Sequence, residues 1–565
     1  MEDNKRTISK RITGIYTLIV FMVPLLYVIV NLHRTSGPVL PPDEFGYWKN
    51  AAEFMGIDWS GAFYMQPYYA KGYSILLWPL MVLLKDPLTM YKCALIVNAL
   101  LFGLSGLVLF LLAGELTGTP GASDRKCFLV TVLAGVFYPA HFVYMNYTIA
   151  ESLLYLLVLL AFLMLARYEK SGKPVYAILA VVVAILCTLV HFRTVCVLAA
   201  IIIAVAAKQR MDRKGENVIK AAAPFVLMLV LAALAAAVLS ALSVRTGFGY
   251  LDTFLDKVQK SLTLTGIADT VMGIAGKIFY ICVSTFGLFF FYAKRVWERR
   301  RDSLIECTFF FAFLLSVIIS SVFLVASHGV YFLVYGRYNE IFAPVIVCLG
   351  LVQLGDMAGD KNAGKDLWIR YTVVTALLSA VLTCYALFNG MNEYVRESVI
   401  GMSWFFGDDM PTVNMLILIP SIACIIALLL FTGFSKKPEG GQLAKAVAVL
   451  TVFMFICFRM SDICVYDFHD IDKSDTKLYE EAVRMYDEGR EVVFLRYPWS
   501  NYVGHLQFYM WDRKITFIEG LDPEAFETAD TAVVFTYPDY EEPEQLQNRY
   551  NTEERSAHFN MYFNR

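Results

Sequence analysis

Charge is what this chain has least of. Only 17 % of its 565 residues are Asp, Glu, Lys or Arg, against about 25 % in a typical soluble domain, while 58 % are hydrophobic. The charges nearly cancel, at −2, which leaves no field that would draw nucleic acid. Histidine is scarce, with 7 residues, and the 11 cysteines sit mostly inside apolar stretches (Cys93, Cys187, Cys282, Cys424), only Cys464 lying near a polar region. No pair has metal-ligand spacing and no disulfide framework is visible, so the cysteines read as small packing residues. An internal repeat and a low-complexity linker are also lacking, and no small-residue cleavage site follows the first apolar segment, which therefore reads as an uncleaved helix.

What is present is length of apolar sequence. A helix needs roughly twenty apolar residues to span a bilayer. The expected spans are 12–32, 91–113, 127–142, 148–167, 175–190, 194–207, 221–243, 276–293, 304–325, 341–355, 371–388, 413–434 and 444–460, about thirteen by this count. Stretches such as 153–165 and 221–242 are apolar all round, without the polar stripe of a soluble helix. Basic residues collect in alternate short loops (Arg125-Lys126, Lys170 to Lys173, Lys294 to Arg301, Lys436-Lys437) and at the N-terminus. The positive-inside rule makes that side cytoplasmic, which puts the loop 33–90 and the C-terminal tail outside.

The outer loops are the longer ones, at 33–90 and 244–275, with shorter ones at 327–340 and 389–412. Within the first, 73–84 is too short to span and reads as an interfacial or re-entrant helix. From 461 the composition turns charged and aromatic. Strands are expected at 491–496, 514–518 and 532–536, and helices at 476–488 and 501–510. The chain thus reads as an all-α polytopic membrane domain, 1–460, followed by a small extracytoplasmic α/β domain, 461–565.

The residues with chemistry fall at outer ends of spans. Asp43 and Glu44, in Pro42-Asp43-Glu44-Phe45-Gly46-Tyr47-Trp48, lie just past the first apolar segment, where two carboxylates are costly unless solvated, paired or working. Lys71 sits in Tyr69-Ala70-Lys71-Gly72-Tyr73, Glu151 opens a span in Ala150-Glu151-Ser152-Leu153, Arg193 stands where two apolar segments meet, and Arg337 and Tyr338 belong to Tyr335-Gly336-Arg337-Tyr338-Asn339-Glu340. Each has a bland reading: a solvated loop acid, a snorkelling lysine, an interface-anchoring arginine, an acid favoured by a helix N-terminus. His191 reads as a polar boundary residue, Glu393, Asp408 and Asp409 as solvated loop acids, and Lys477, Arg484 and Arg496 as surface charge.

In this order the motifs resemble the GT-C superfamily of polyprenyl-phosphate-dependent glycosyltransferases, similar to protein O-mannosyltransferases and lipid A aminoarabinose transferases. The likeness in layout covers nearly the whole chain. It implies an inverting transfer of a monosaccharide from a polyprenyl-phosphate donor to an acceptor hydroxyl on the extracytoplasmic face. The acceptor would be a protein, wall polymer or glycolipid. Asp43 takes the family's general-base position and Glu44 that of a helper. Lys71, Arg193 and Arg337 would hold the leaving phosphate, a guanidinium suiting it by two parallel hydrogen bonds. Tyr47, Glu151 and Tyr338 would line the substrate cavity. No obligatory metal is expected, although Asp43, Glu44 and a third oxygen could hold a divalent cation. Two positions depart from the aminoarabinose pattern: Gly46 stands where it has an Arg and Ala70 where it has an acid. The alternatives are a lipid-linked sugar flippase or transporter, which would carry ionisable groups at the centre of spans, and a non-catalytic scaffold with the same fold.

Overall fold

The computed structural model describes residues 2–40, 42–62, 70–118, 124–212, 249–325, 329–357, 361–391, 395–404, 411–432, 438–495, 503–518, 531–539 and 543–565. The expected span 221–243 and residues Glu393, Asp408, Asp409 and Arg496 lie outside them. The chain divides into two compact units. The first comprises Met1–Leu26, Ala99–Met145 and Ala150–Cys464, the second Tyr27–Asn98, Asn146–Ile149 and Val465–Arg565.

Among the described residues nine helices are long and apolar enough to cross a membrane, and the chain is a multi-pass membrane protein. In the first unit Glu151–Ser171 packs on Pro174–Val190, Leu304–Phe323 on Val195–Asp212, Leu288–Arg299 on Ala343–Asp356, and Pro438–Ser461 on Asp124–Val136. Polar residues at the helix ends close the ladders. Glu169 accepts from the backbone N–H groups of Leu304 (2.6 Å) and Ile305 (3.1 Å), and so caps a helix N-terminus where a negative charge is favoured.

Two expected spans are corrected. The segment 127–142 is broken before Pro139 into Asp124–Val136 and Pro139–Tyr144, because proline cannot continue the first helix but suits the first position of the second. The segment 276–293 is likewise broken, at Phe286 and Gly287, both left-handed (φ 49° and 76°). The long helix there runs Leu264–Ser284 and uses residues expected to be an outer loop. Thr263 caps it through Gly266 N–H (3.1 Å), and its polar Asp269 is satisfied by the Tyr385 hydroxyl.

The second unit holds the acidic motif and a five-stranded sheet. The strands are β1 (Val492–Leu495), β2 (Ile515–Ile518), β3 (Val533–Thr536), β4 (Thr552–Arg555) and β5 (Asn560–Phe563), in the order β2-β1-β3-β5-β4. The first three pair in parallel (Val493 opposite Thr516 and Val534), and β5 pairs antiparallel with β3 and β4. Central β1 and β3 are buried throughout, as near-continuous apolar parallel strands should be. The edge strand β4, Thr-Glu-Glu-Arg, carries the charge that keeps an edge from pairing further. The short apolar helix expected at 73–84 is found at Ser74–Leu83, with Ile75, Trp78 and Leu83 exposed. It packs on the helix Asp43–Glu53, which in turn meets Val503–Tyr509. There Phe45 lies edge-on to His505, at 4.8 Å between rings, and a Cβ on Gly504 would come within 2.8 Å of Phe45.

Candidate functional site

The Asp-Glu pair forms the first turn of the helix Asp43–Glu53, and the turn separates the two acids. Glu44 is fully buried and Asp43 only partly. One Glu44 oxygen accepts from the backbone N–H of Val39 (2.7 Å) and Leu40 (2.9 Å). The other accepts from Thr148 N–H (2.6 Å), Thr148 hydroxyl (2.7 Å) and Tyr91 hydroxyl (3.1 Å). A carboxylate offers about four lone-pair directions, and five donors fill them. Burial pushes the Glu44 carboxyl above the usual carboxylate range, against the pull of these donors. Nothing is left of Glu44 for a metal or an acceptor, so the cation set built on Asp43 and Glu44 loses a ligand.

Tyr47 is buried against Tyr73, 5.3 Å between rings, and its carbonyl accepts from Ser74 hydroxyl (2.8 Å). Trp48 donates to Thr148 hydroxyl (2.9 Å). Lys71 is not brought to Asp43. Its ammonium pairs with Glu53 (2.9 Å) at the far end of the same helix, about 15 Å along the axis from Asp43 at 1.5 Å per residue.

In the first unit a second constellation assembles. Glu151, at the first turn of its helix and 1 % exposed, takes Arg337 Nε (2.6 Å) and Arg193 Nη2 (3.2 Å) on the same oxygen, Oε1. Among the described residues no group reaches its Oε2, nor Arg193 Nε or Nη1, all of them buried. Arg193 lies over the Tyr338 ring (5.3 Å) and Arg337 over the Tyr144 ring (5.8 Å), which hold both guanidiniums in place. The turn that presents Arg337 is pinned by Ser398, whose carbonyl accepts from the N–H groups of Gly336 (2.9 Å) and Arg337 (3.3 Å). Position 336 has to be glycine, since a Cβ there would sit 2.0 Å from the Tyr280 ring.

Glu340 joins this cluster and was missed in the sequence, although it stands three residues after Arg337 in the same quoted string. It is fully buried and accepts hydrogen bonds from Tyr144 (2.6 Å) and Tyr280, while its backbone carbonyl meets His141 Nε2 (3.0 Å). A carbonyl only accepts, so His141 carries its proton on Nε2. Burial pushes Glu340 up to about 7, opposed by the two tyrosine hydroxyls. Lys277 was missed as well. It is 1 % exposed in the span Leu264–Ser284, one turn before Tyr280, with only long contacts to the carbonyls of Gly273 (3.4 Å) and Phe332 (3.5 Å).

One group of metal-binding residue types is found among the described residues: Asp472, Asp475 and His558, their ligand atoms within 4.8 Å of one another. Asp475 already accepts from the His558 ring (2.7 Å) and backbone (3.1 Å), so the group closes the helix Asp467–Asp487 onto the turn before β5.

The architecture is a helical membrane fold with a small sheet domain. Among solved structures the chain is similar to ArnT from Cupriavidus metallidurans bound to undecaprenyl phosphate, at TM-score 0.55 and 13 % identity over 96 % of this chain and 97 % of that one. It is similar to the same protein in its apo state at TM-score 0.53 and 12 % identity, over 98 % of each chain. A weaker likeness, TM-score 0.43 and 12 % identity, spans 87 % of this chain and 42 % of arabinosyltransferase EmbB from Mycobacterium smegmatis. No protein-family model matches the chain, and no curated protein sequence does.

Replacing Glu44 by Ala strands buried donors and is expected to destabilise the second unit by about 3–5 kcal/mol; thermal unfolding of the purified protein in detergent measures it, and an unchanged midpoint contradicts the framework role. Glu340 holds its proton more tightly folded than unfolded. Its stabilisation is therefore complete below about pH 4.5 and lost as pH rises through about 7. The thermal midpoint should fall across that window in the natural protein, and this component should vanish in Glu340→Gln.

Proposed function

We propose that the chain is a GT-C-type glycosyltransferase that moves a monosaccharide from a polyprenyl-phosphate donor to an acceptor hydroxyl, with inversion, on the extracytoplasmic face. The observation that carries this reading is Arg193: a buried guanidinium with two N–H groups unpartnered among the described residues, beside a carboxylate already shared with Arg337. Two cations on one carboxylate leave an excess positive charge, and a phosphate accepts what those N–H groups offer. That ArnT, whose fold this chain shares, was captured with undecaprenyl phosphate supports a lipid phosphate as the ligand class.

In the proposed step Asp43 takes the proton of the acceptor hydroxyl as its oxygen attacks the anomeric carbon. The bond from that carbon to the phosphate oxygen breaks from the opposite face, and the leaving polyprenyl phosphate carries the electron pair. Asp43 is the base because Glu44 has no free lone pair. Arg193 and Arg337 receive the phosphate, and Lys71, held by Glu53, is assigned to stiffening the Asp43 helix. Orientation follows the basic loops, which places the N-terminus in the cytoplasm and residues 461–565 outside. No resident metal enters this scheme. Gly46 and Ala70 argue for a sugar other than aminoarabinose.

Lys277 favours a second reading, a lipid-linked sugar flippase or transporter, because a buried lysine within a span is a common mark of a transport path. Transfer of radiolabelled sugar from a polyprenyl-phosphate donor, with Asp43→Asn as the comparison, separates the two. A loss of about 10²–10⁴ in rate with donor binding retained is expected from removal of a general base. Full retained transfer in the variant removes Asp43 from the role, and lipid movement without any transfer in the natural protein supports the transporter.

A further inference from the structure

A second feature lies apart from the arginine cluster, in a cavity of the first unit. It lies where helices end beside the basic loops, at the C-terminal ends of Pro87–Thr117, Glu151–Ser171, Leu288–Arg299 and Ala343–Asp356 and the N-terminal part of Pro438–Ser461. Its volume is about 690 Å³, the size of a pocket for a small molecule or a lipid headgroup. Its lining mixes apolar residues (Phe128, Leu351) with the cations Lys170, Arg295, Arg299 and Lys445.

The acids around it are Glu115 and Asp356 in the lining and Glu306 behind the arginines, which leaves an excess of one positive charge. Most of these charges are matched. Arg295 (3.1 Å) and Arg299 (2.6 Å) hold Glu306 and also donate to the Leu116 carbonyl, while Lys170 holds Glu115 (2.8 Å). Lys445 is different. It is 3 % exposed, it faces the cavity, and among the described residues no hydrogen bond or ion pair reaches its ammonium. One turn earlier Gln442 is held by the Gly355 carbonyl (2.9 Å), which fixes the helix face that Lys445 shares. The residue is buried except where it meets the cavity, and an ammonium held there without a counter-charge is partly desolvated at a cost, which an anion at this position would offset.

We propose that this cavity binds the phosphate of an anionic phospholipid headgroup, with Lys445 as its anchoring cation. A lipid fits better than a soluble anion because the cavity lies at the ends of membrane-crossing helices and apolar side chains share its lining with the cations. The site is separate from the Glu151 cluster and does not depend on the transfer reaction. Glu115 and Asp356 lie in the same lining and set a preference for a singly charged diester over a more highly charged phosphate.

The test is thermal unfolding of the full-length protein in a neutral detergent, titrated separately with phosphatidylglycerol, phosphatidylcholine and inorganic phosphate. The proposal expects a concentration-dependent rise in the midpoint with phosphatidylglycerol alone. Lys445→Met should weaken the apparent affinity about fivefold and Lys445→Arg should restore it. Equal shifts with phosphatidylcholine, or an unchanged affinity in Lys445→Met, overturn the site. A full shift with inorganic phosphate overturns the lipid assignment. The comparison of the two lipids on the natural protein decides the matter even where the Met variant does not fold.

Discussion

Two guanidiniums share one carboxylate oxygen, and the proposed chemistry depends on that arrangement. Bringing Glu151, Arg193 and Arg337 out of water costs several kcal/mol per ion, and mutual attraction offsets this only where hydrogen bonds are well made. Here one oxygen takes both cations, at 2.6 and 3.2 Å, and among the described residues nothing partners the other oxygen or Arg193 Nε and Nη1. Such a cluster is incomplete as a purely structural ion pair. Tyr144, Tyr338 and the Ser398 carbonyl hold its members at fixed positions, so the free N–H groups are presented rather than mobile. Preorganised donors of this kind cost nothing to orient when negative charge arrives.

Glu44 shows the opposite use of a buried carboxylate. Every lone pair is spent on the chain around it, and the helix that carries Asp43 is fixed as a result. Thr148 answers Glu44, and three residues further along the chain Glu151 answers the arginines. The short stretch 148–151 therefore serves a framework carboxylate at one end and the arginine cluster at the other.

Much of the fold was legible because apolar length is a direct consequence of a bilayer. The parallel strands β1 to β3 were legible for a similar reason, being short β-branched and aromatic runs between turns. Strands β4 and β5 were not: Thr-Glu-Glu-Arg has the polarity of a loop, and its strand character comes from pairing with β5. The break at Phe286-Gly287 was hidden because both residues suit a span as well as a turn. Asp43 and Glu44 are indistinguishable as neighbours in a string. A helix sets adjacent side chains about 100° apart, so one acid turns inward while the other stays partly exposed. Lys71 was placed by sequence order alone, and its partner Glu53 lay too far along a helix not foreseen. Glu340 was passed over because its tyrosine donors, Tyr144 and Tyr280, come from distant parts of the chain.

The central claim is that Arg193 awaits a phosphate. The most direct measurement is the affinity of the purified protein for polyprenyl phosphate, natural chain against Arg193→Met, with thermal unfolding as the check on folding. Losing charge-assisted hydrogen bonds worth about 1.5–3 kcal/mol should weaken binding about 10- to 100-fold. An unchanged affinity in a folded variant would contradict the account.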